Sequence, residues 1–143
     1  MAVAREEDEE RVPAELEDVA AVAVCEALPA KAQIKWPNDV WIDERKVAGI
    51  LVEARPQEGW AVLGIGLNVT TPEFPPELAS IATSLQLAGH ETTTEAVLAA
   101  VVAALDEWLE SPPEQVLAAW RQRDALRGRR VRWDAGARSG TSS

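Results

Sequence analysis

Four short runs rich in β-branched and aromatic residues follow one another between Gln33 and Asn68, and the gaps between them are too short to hold a helix. The runs are Gln33 to Trp36, Asp39 to Ile42, Lys46 to Ala54 and Trp60 to Asn68, separated by polar turns at Asp43-Glu44-Arg45 and around Gln57-Glu58-Gly59. Connections this short make hairpins, so the sheet is antiparallel and contains no βαβ crossover in this stretch.

Helical periodicity flanks this block. Pro13 followed by Leu16, Val19, Ala20, Ala23 and Leu28 predicts an amphipathic helix over 13–29, with Cys25 in its packing. Pro72, Pro75 and Pro76 forbid regular structure, so a loop follows Asn68. Thr94 is placed to cap a helix carrying Val97, Val101, Leu105 and Trp108. Pro112-Pro113 starts another helix through Leu117, Trp120 and Leu126, and Gly128 stops it. Residues 129–133 read as one short strand, and the tail after Asp134 has nothing to pack. The class is α+β, an antiparallel-rich sheet flanked by helices.

Composition narrows the partners. A chain of 143 residues holds one core, and 14 Lys and Arg against 24 Asp and Glu leave a formal charge of −10, which argues against a nucleic-acid partner. Arg121, Arg123, Arg127, Arg129, Arg130 and Arg132 cluster near the other end and read as a solvated helix end running into a strand. The lone Cys25 excludes disulfides within the chain and a structural zinc site of the usual ligand count. No run of eighteen apolar residues occurs and the N-terminus is acidic, so no membrane partner and a cytoplasmic setting are expected.

Chemistry must come from the middle of the chain. Lys35-Trp36-Pro37-Asn38-Asp39 is followed by Lys46 and Gly49, then by Gly64-Ile65-Gly66-Leu67-Asn68. Pro37 breaks the ladder and leaves Asn38 and Asp39 free to face a cleft. The turn at 43–45 folds Lys46 back beside them. Taken singly, Lys46 is a solvated turn residue and Asn38 and Asp39 are turn formers. Together, two amines, an amide and a carboxylate suit a ligand with concentrated negative charge and a divalent cation. Gly64 and Gly66 bare one strand face for a flat ligand, with Asn68 as its cap, though a bulge or tight sheet packing explains them equally well. Val69 stands where a dinucleotide fingerprint needs a third glycine, and no Gly-Lys-Ser/Thr run occurs. The sole histidine, His90, reads as a surface residue, and no Ser-His-Asp triad is present.

The runs Lys35 to Val40, Arg45 to Glu53 and Gly64 to Val69 resemble, in order and spacing, the biotin protein ligases, the biotin–acetyl-CoA-carboxylase ligases. The resemblance extends over about residues 13 to 133. It implies a class II synthetase-like catalytic domain followed by a small SH3-like barrel. It also implies an enzyme that joins biotin to ATP with magnesium as biotinyl-5′-adenylate. Biotin then passes to a lysine of the biotin carboxyl carrier protein of acetyl-CoA carboxylase. Carried over by motif position, Lys46 is the catalytic residue, contacting the biotin carboxylate and the α-phosphate. Gly49 and Leu51 belong to the biotin pocket. Lys35, Asn38, Asp39, Gly66 and Asn68 belong to the nucleotide side, with no metal ligand assigned.

The family's Gly/Arg-rich loop, expected before the first helix, has no counterpart in Met1 to Val12. The expected division is therefore an acidic disordered leader over 1–12, a partial catalytic domain over 13–127, and over 128–143 the first strand of the SH3-like domain with a disordered tail. An incomplete sheet leaves an edge uncovered, so marginal stability or a homodimer is expected. Two other readings stand beside the ligase: a non-catalytic module that binds biotin, an adenylate or a partner, and a lipoate ligase relative.

Overall fold

The computed structural model describes residues 2–6, 16–128, 131–135 and 138–142 of the chain. In chain order the elements are β1 (Ala2–Glu6), α1 (Leu16–Ala27), β2 (Gln33–Lys35), β3 (Asp39–Ile42), β4 (Arg45–Arg55), β5 (Trp60–Leu67), α2 (Thr94–Leu109), α3 (Pro113–Gln122), β6 (Val131–Ala135) and β7 (Arg138–Ser142). The first five strands form one sheet in the order β1-β5-β4-β3-β2, every pairing antiparallel. The α+β class and its hairpins follow the expectation from sequence. Asp43 and Glu44, at φ 51° and 65°, make the two-residue turn whose twist matches that of the strands it joins.

Alternation divides the sheet into two faces. Ile34, Val40, Ala48 and Leu67 stand opposite one another in a row across four strands, and all four are buried. Against this face lies α1, with α2 and α3 packed on its other side. The seven residues from Val19 to Cys25 are each at most 3% exposed. The expected amphipathic stripe is thus corrected to a helix whose middle, Val19 to Cys25, is buried on all sides, with Glu17 and Glu26 exposed at its two ends. Its Ala20, Ala21 and Ala23 keep it thin enough to sit between two layers.

Four further expectations change in the structure. Residues 2–6 are not a disordered leader, because β1 pairs with β5 from Ala2↔Gly66 to Glu6↔Val62 and covers that edge. The helix cap is Thr93, whose side chain accepts from the Ala96 N–H at 3.1 Å. The last helix ends at Gln122, well short of Gly128, since the backbone beyond it has a better partner. The Ile34 N–H donates to the Arg123 carbonyl at 2.7 Å, and the Ala125 N–H to the Ile34 carbonyl at 2.8 Å. Past Asp134 the chain continues as β7, which pairs with β6 from Val131↔Ser142 to Ala135↔Arg138. The expectations for 1, 7–15, 129–130, 136–137 and 143 lie outside the described residues.

Burial pushes the Cys25 thiol up to about 12 from an ordinary 9.0, with Arg123 opposing weakly. Native protein should therefore react with a disulfide reagent at neutral pH at least about 100-fold more slowly than protein unfolded in urea. The thiol ionises earlier when unfolded, so stability falls as pH rises above 9.0 toward about 12. Denaturant titrations of the native chain and a Cys25→Ala variant across that window measure this. Equal slopes against pH would remove Cys25 as the cause.

Candidate functional site

The row next to the buried one faces the other way. Lys35, Asp39, Gly49, Gly66 and Ala2 stand opposite one another across all five strands. Two residues further along β4, Leu51 pairs with Gly64. The helices leave this face open, and Leu51 is 71% exposed on it. Three glycines on adjoining strands thus make a floor of bare backbone.

Strict alternation would put Lys46 on the buried face, because Gly49 is on the open one. A bulge prevents this. Val40 pairs with Ala48 but Trp41 pairs with Lys46, so Val47 is an extra residue in β4. The inserted residue switches the phase. Val47 turns into the core, fully buried, and Lys46 comes out beside Gly49 with its side chain about half exposed. Burial records the switch: Val47 and Ala48 are adjacent and both buried, whereas burial alternates from Ala48 through Gly49 and Ile50 to Leu51.

Lys46 Nζ lies 3.2 Å from Asp39 Oδ1. An ion pair this open to water contributes under about 1 kcal/mol to stability, so its effect is to orient the ammonium. Gly49 provides the seat: a Cβ there would stand 3.2 Å from both Cε and Nζ of Lys46. Around the lysine are two depressions. One, of about 440 Å³, runs over Asn38, Asp39, Leu51 and Gly64. The other, of about 370 Å³, runs over Ala48, Leu67, Asn68 and Ala82. Lys46, Gly49 and Gly66 line both, so the ammonium stands on their common wall. Their sizes suit small-molecule ligands, and a cation at that place attracts an anionic group lying across both.

Of the residues singled out from sequence, Asp39, Lys46, Gly49, Leu51 and Gly66 come together here. Asn38 lines the larger depression, but its side-chain amide donates to the Ile50 carbonyl at 2.9 Å while its own carbonyl accepts from the Ile50 N–H at 2.9 Å. It fastens β3 to β4. Lys35 shares the open face yet lines neither depression, and its Nζ lies 5.5 Å from the centre of the Trp41 ring. Asn68 lines the smaller depression and donates its amide to the Thr83 carbonyl at 3.2 Å. Absent from the sequence reading is the segment 81–83, which runs parallel to Lys46 and supplies Ala82 to the wall. Proline-broken sequence carries no periodicity to announce it. Among the described residues no three His, Cys, Asp or Glu side chains converge as a metal site. Nor is any helix among them long and apolar enough to cross a membrane.

Comparison with known proteins bears on this arrangement. Residues 10–69 match the model of the Biotin/lipoate A/B protein ligase family. A bifunctional ligase/repressor BirA of Bacillus spizizenii is 44% identical over 82 residues, covering 51% of this chain and 25% of that protein. The biotin–[acetyl-CoA-carboxylase] ligase of Mycobacterium tuberculosis is 39% identical over 110 residues, covering 73% of this chain and 39% of that protein. The chain thus spans well under half the length of these curated relatives. The biotin protein ligase of Aquifex aeolicus in complex with biotin and ATP has a TM-score of 0.84 and 26% identity, covering 98% of this chain and 64% of that one.

Proposed function

We propose, since this chain belongs to the biotin/lipoate A/B protein ligase family, that it activates biotin with ATP and passes it to a lysine of a biotin carboxyl carrier domain. The observation that carries this reading is the place of Lys46 on the wall shared by two depressions over a glycine floor. Biotin would lie in the larger one, its ring system against Leu51 and the backbone of Gly49 and Gly64. The nucleotide would lie in the smaller one, beside Gly66 and Asn68.

In the first step a carboxylate oxygen of biotin attacks the α-phosphorus of ATP and pyrophosphate leaves. Negative charge gathers at the wall, where the Lys46 ammonium offsets it. Little covalent chemistry is asked of the side chains, because holding both reactants in line supplies much of the rate. In the second step the amine of the carrier lysine attacks the biotinyl carbonyl and AMP leaves. Magnesium fits only as part of the nucleotide. Asp39 is a single carboxylate already paired with Lys46, so the phosphates would supply most of the ligands.

Biotin-dependent exchange of labelled pyrophosphate into ATP tests the first step apart from carrier recognition. Exchange that requires biotin is the expected result. A folded protein that binds biotin or biotinyl-5′-adenylate without exchange would instead support a binding module. That reading draws on one observation: Lys46 is the sole cation lining the depressions among the described residues. Lipoate in place of biotin distinguishes the lipoate ligase relative.

The glycine floor makes its own prediction. A Cβ at Gly66 would meet no atom within 4 Å, so Gly66→Val should fold with a melting temperature within about 3 °C of the parent. Its isopropyl group would occupy the common part of both depressions, and biotin affinity should fall by about tenfold or more. Calorimetric titration measures this, and unchanged affinity would move the ligand off this floor.

A further inference from the structure

The bulge that turns Lys46 outward is held from outside the sheet. The Lys46 N–H donates to the Ile81 carbonyl at 2.8 Å, and the Lys46 carbonyl accepts from the Thr83 N–H at 2.8 Å. The next carbonyl, that of Val47, accepts from the Asn68 N–H at 2.9 Å. A bulge leaves main-chain groups out of the ladder, and here the groups of Lys46 and Val47 are bound by two other segments. The segment 81–83 thus acts as a clasp on the residue that carries the cation.

The clasp belongs to the proline-broken stretch after β5, whose ends are joined by two main-chain bonds, the Leu85 N–H to the Asn68 carbonyl at 3.1 Å and the Gln86 N–H to the Val69 carbonyl at 3.0 Å. The Ser84 side chain adds a further tie between them. Ser84 is fully buried. Its hydroxyl donates to the Thr71 carbonyl at 2.6 Å and accepts from the Leu87 N–H at 3.1 Å. Both functions of the hydroxyl are therefore used, and they join the two ends of the loop. Asn68 adds its amide to the Thr83 carbonyl, one residue before Ser84.

We propose that Ser84 is a positioning residue: by tying the loop at Thr71 and Leu87 it keeps Ile81–Thr83 clasped on Lys46, and so keeps the bulge phase that presents the ammonium to both depressions. Ser84 lines neither depression and acts through Thr83 and Lys46. The kinetic part of the proposal rests on the ligase reading above. Its structural part does not.

The test uses the full chain and three proteins: the parent, Ser84→Ala, and Val101→Ala, a core truncation in α2 remote from the clasp. In Ser84→Ala the amides of Lys46 and Thr83 should exchange with deuterium at least about tenfold faster, while those of Val22 and Val24 in α1 keep their rates. With saturating substrates its pyrophosphate exchange should fall by about tenfold or more while KM for biotin stays within about threefold, since displacement of a catalytic group acts on the rate of the step. Val101→Ala should not single out the Lys46 and Thr83 amides, whatever its stability. Parent-like exchange at those two amides in Ser84→Ala overturns the proposal, as does equal acceleration across α1. Should Ser84→Ala not fold, the parent decides: Lys46 and Thr83 amides exchanging at unprotected rates would overturn the clasp. A parent without pyrophosphate exchange would sink the ligase reading and leave the amide measurements to judge the clasp.

Discussion

Replacing Lys46 with alanine is expected to lower biotin-dependent pyrophosphate exchange by about 100- to 1,000-fold, the usual cost of removing one preorganised group that meets developing charge. The fold should survive, because the Lys46 side chain is about half exposed and its ion pair with Asp39 is open to water. A melting temperature within about 3 °C of the parent would separate lost chemistry from lost structure. The variant also leaves the Asp39 carboxylate without its cation beside the anionic reactants proposed for the two depressions, so Lys46→Ala/Asp39→Asn should recover part of the rate. Lys46→Arg should recover little. The seat over Gly49 is shaped to a compact ammonium, with 3.2 Å between its missing Cβ and Nζ, and a planar guanidinium places its charge elsewhere. Exchange within threefold of the parent in the alanine variant would show that the reacting atoms do not meet at this wall.

The largest effect on stability is expected at the centre of α1. Val22 is 1% exposed in a helix covered by the sheet on one side and by two helices on the other. An aspartate there would be an uncompensated buried charge costing about 3–5 kcal/mol, against a total near 5–15 kcal/mol for an ordinary domain. Val22→Asp should therefore lose most of its folded population at neutral pH. The sign of its pH dependence follows from burial, which raises the folded pKa above an unfolded value of about 3.9. The penalty is absent below that value and grows as pH rises through the interval between the two. Val22→Asn carries no such charge, so the stability difference between the two variants should widen from pH 4 to pH 7. A constant difference would mean that the carboxyl reaches water.

Much of this site was legible before any coordinates. The short turns require hairpins, which brings the runs around Asp39, Lys46 and Gly66 onto neighbouring strands, but a two-residue turn alone would set Asp39 against Ala48, and only the extra residue brings Gly49 opposite it. What escaped has physical causes. The phase switch at Val47 depends on one extra residue, and the approach of the Lys35 ammonium to the Trp41 ring is a side-chain contact that no run of residues announces. Helix propensity carried the last helix toward Gly128, but Ile34 captures the backbone at Arg123 and Ala125 through tertiary bonds that no local pattern encodes. Ala2–Glu6 is too short and too close to an acidic run to read as a strand, and only the open edge of β5 makes it one. The segment 81–83 is legible only from Lys46 outward.

The position of α1 matters before the molecule is finished. Its outer layer, α2 and α3, begins at Thr94, whereas α1 ends at Ala27. A ribosome adds about 5–20 residues per second, so this apolar helix waits several seconds in the nascent chain for its cover. During that interval it presents a surface that a chaperone would bind and that a neighbouring nascent chain would stick to. The yield of native protein in a cell should therefore respond to translation speed between Ala27 and Thr94 more than to the stability of the finished fold.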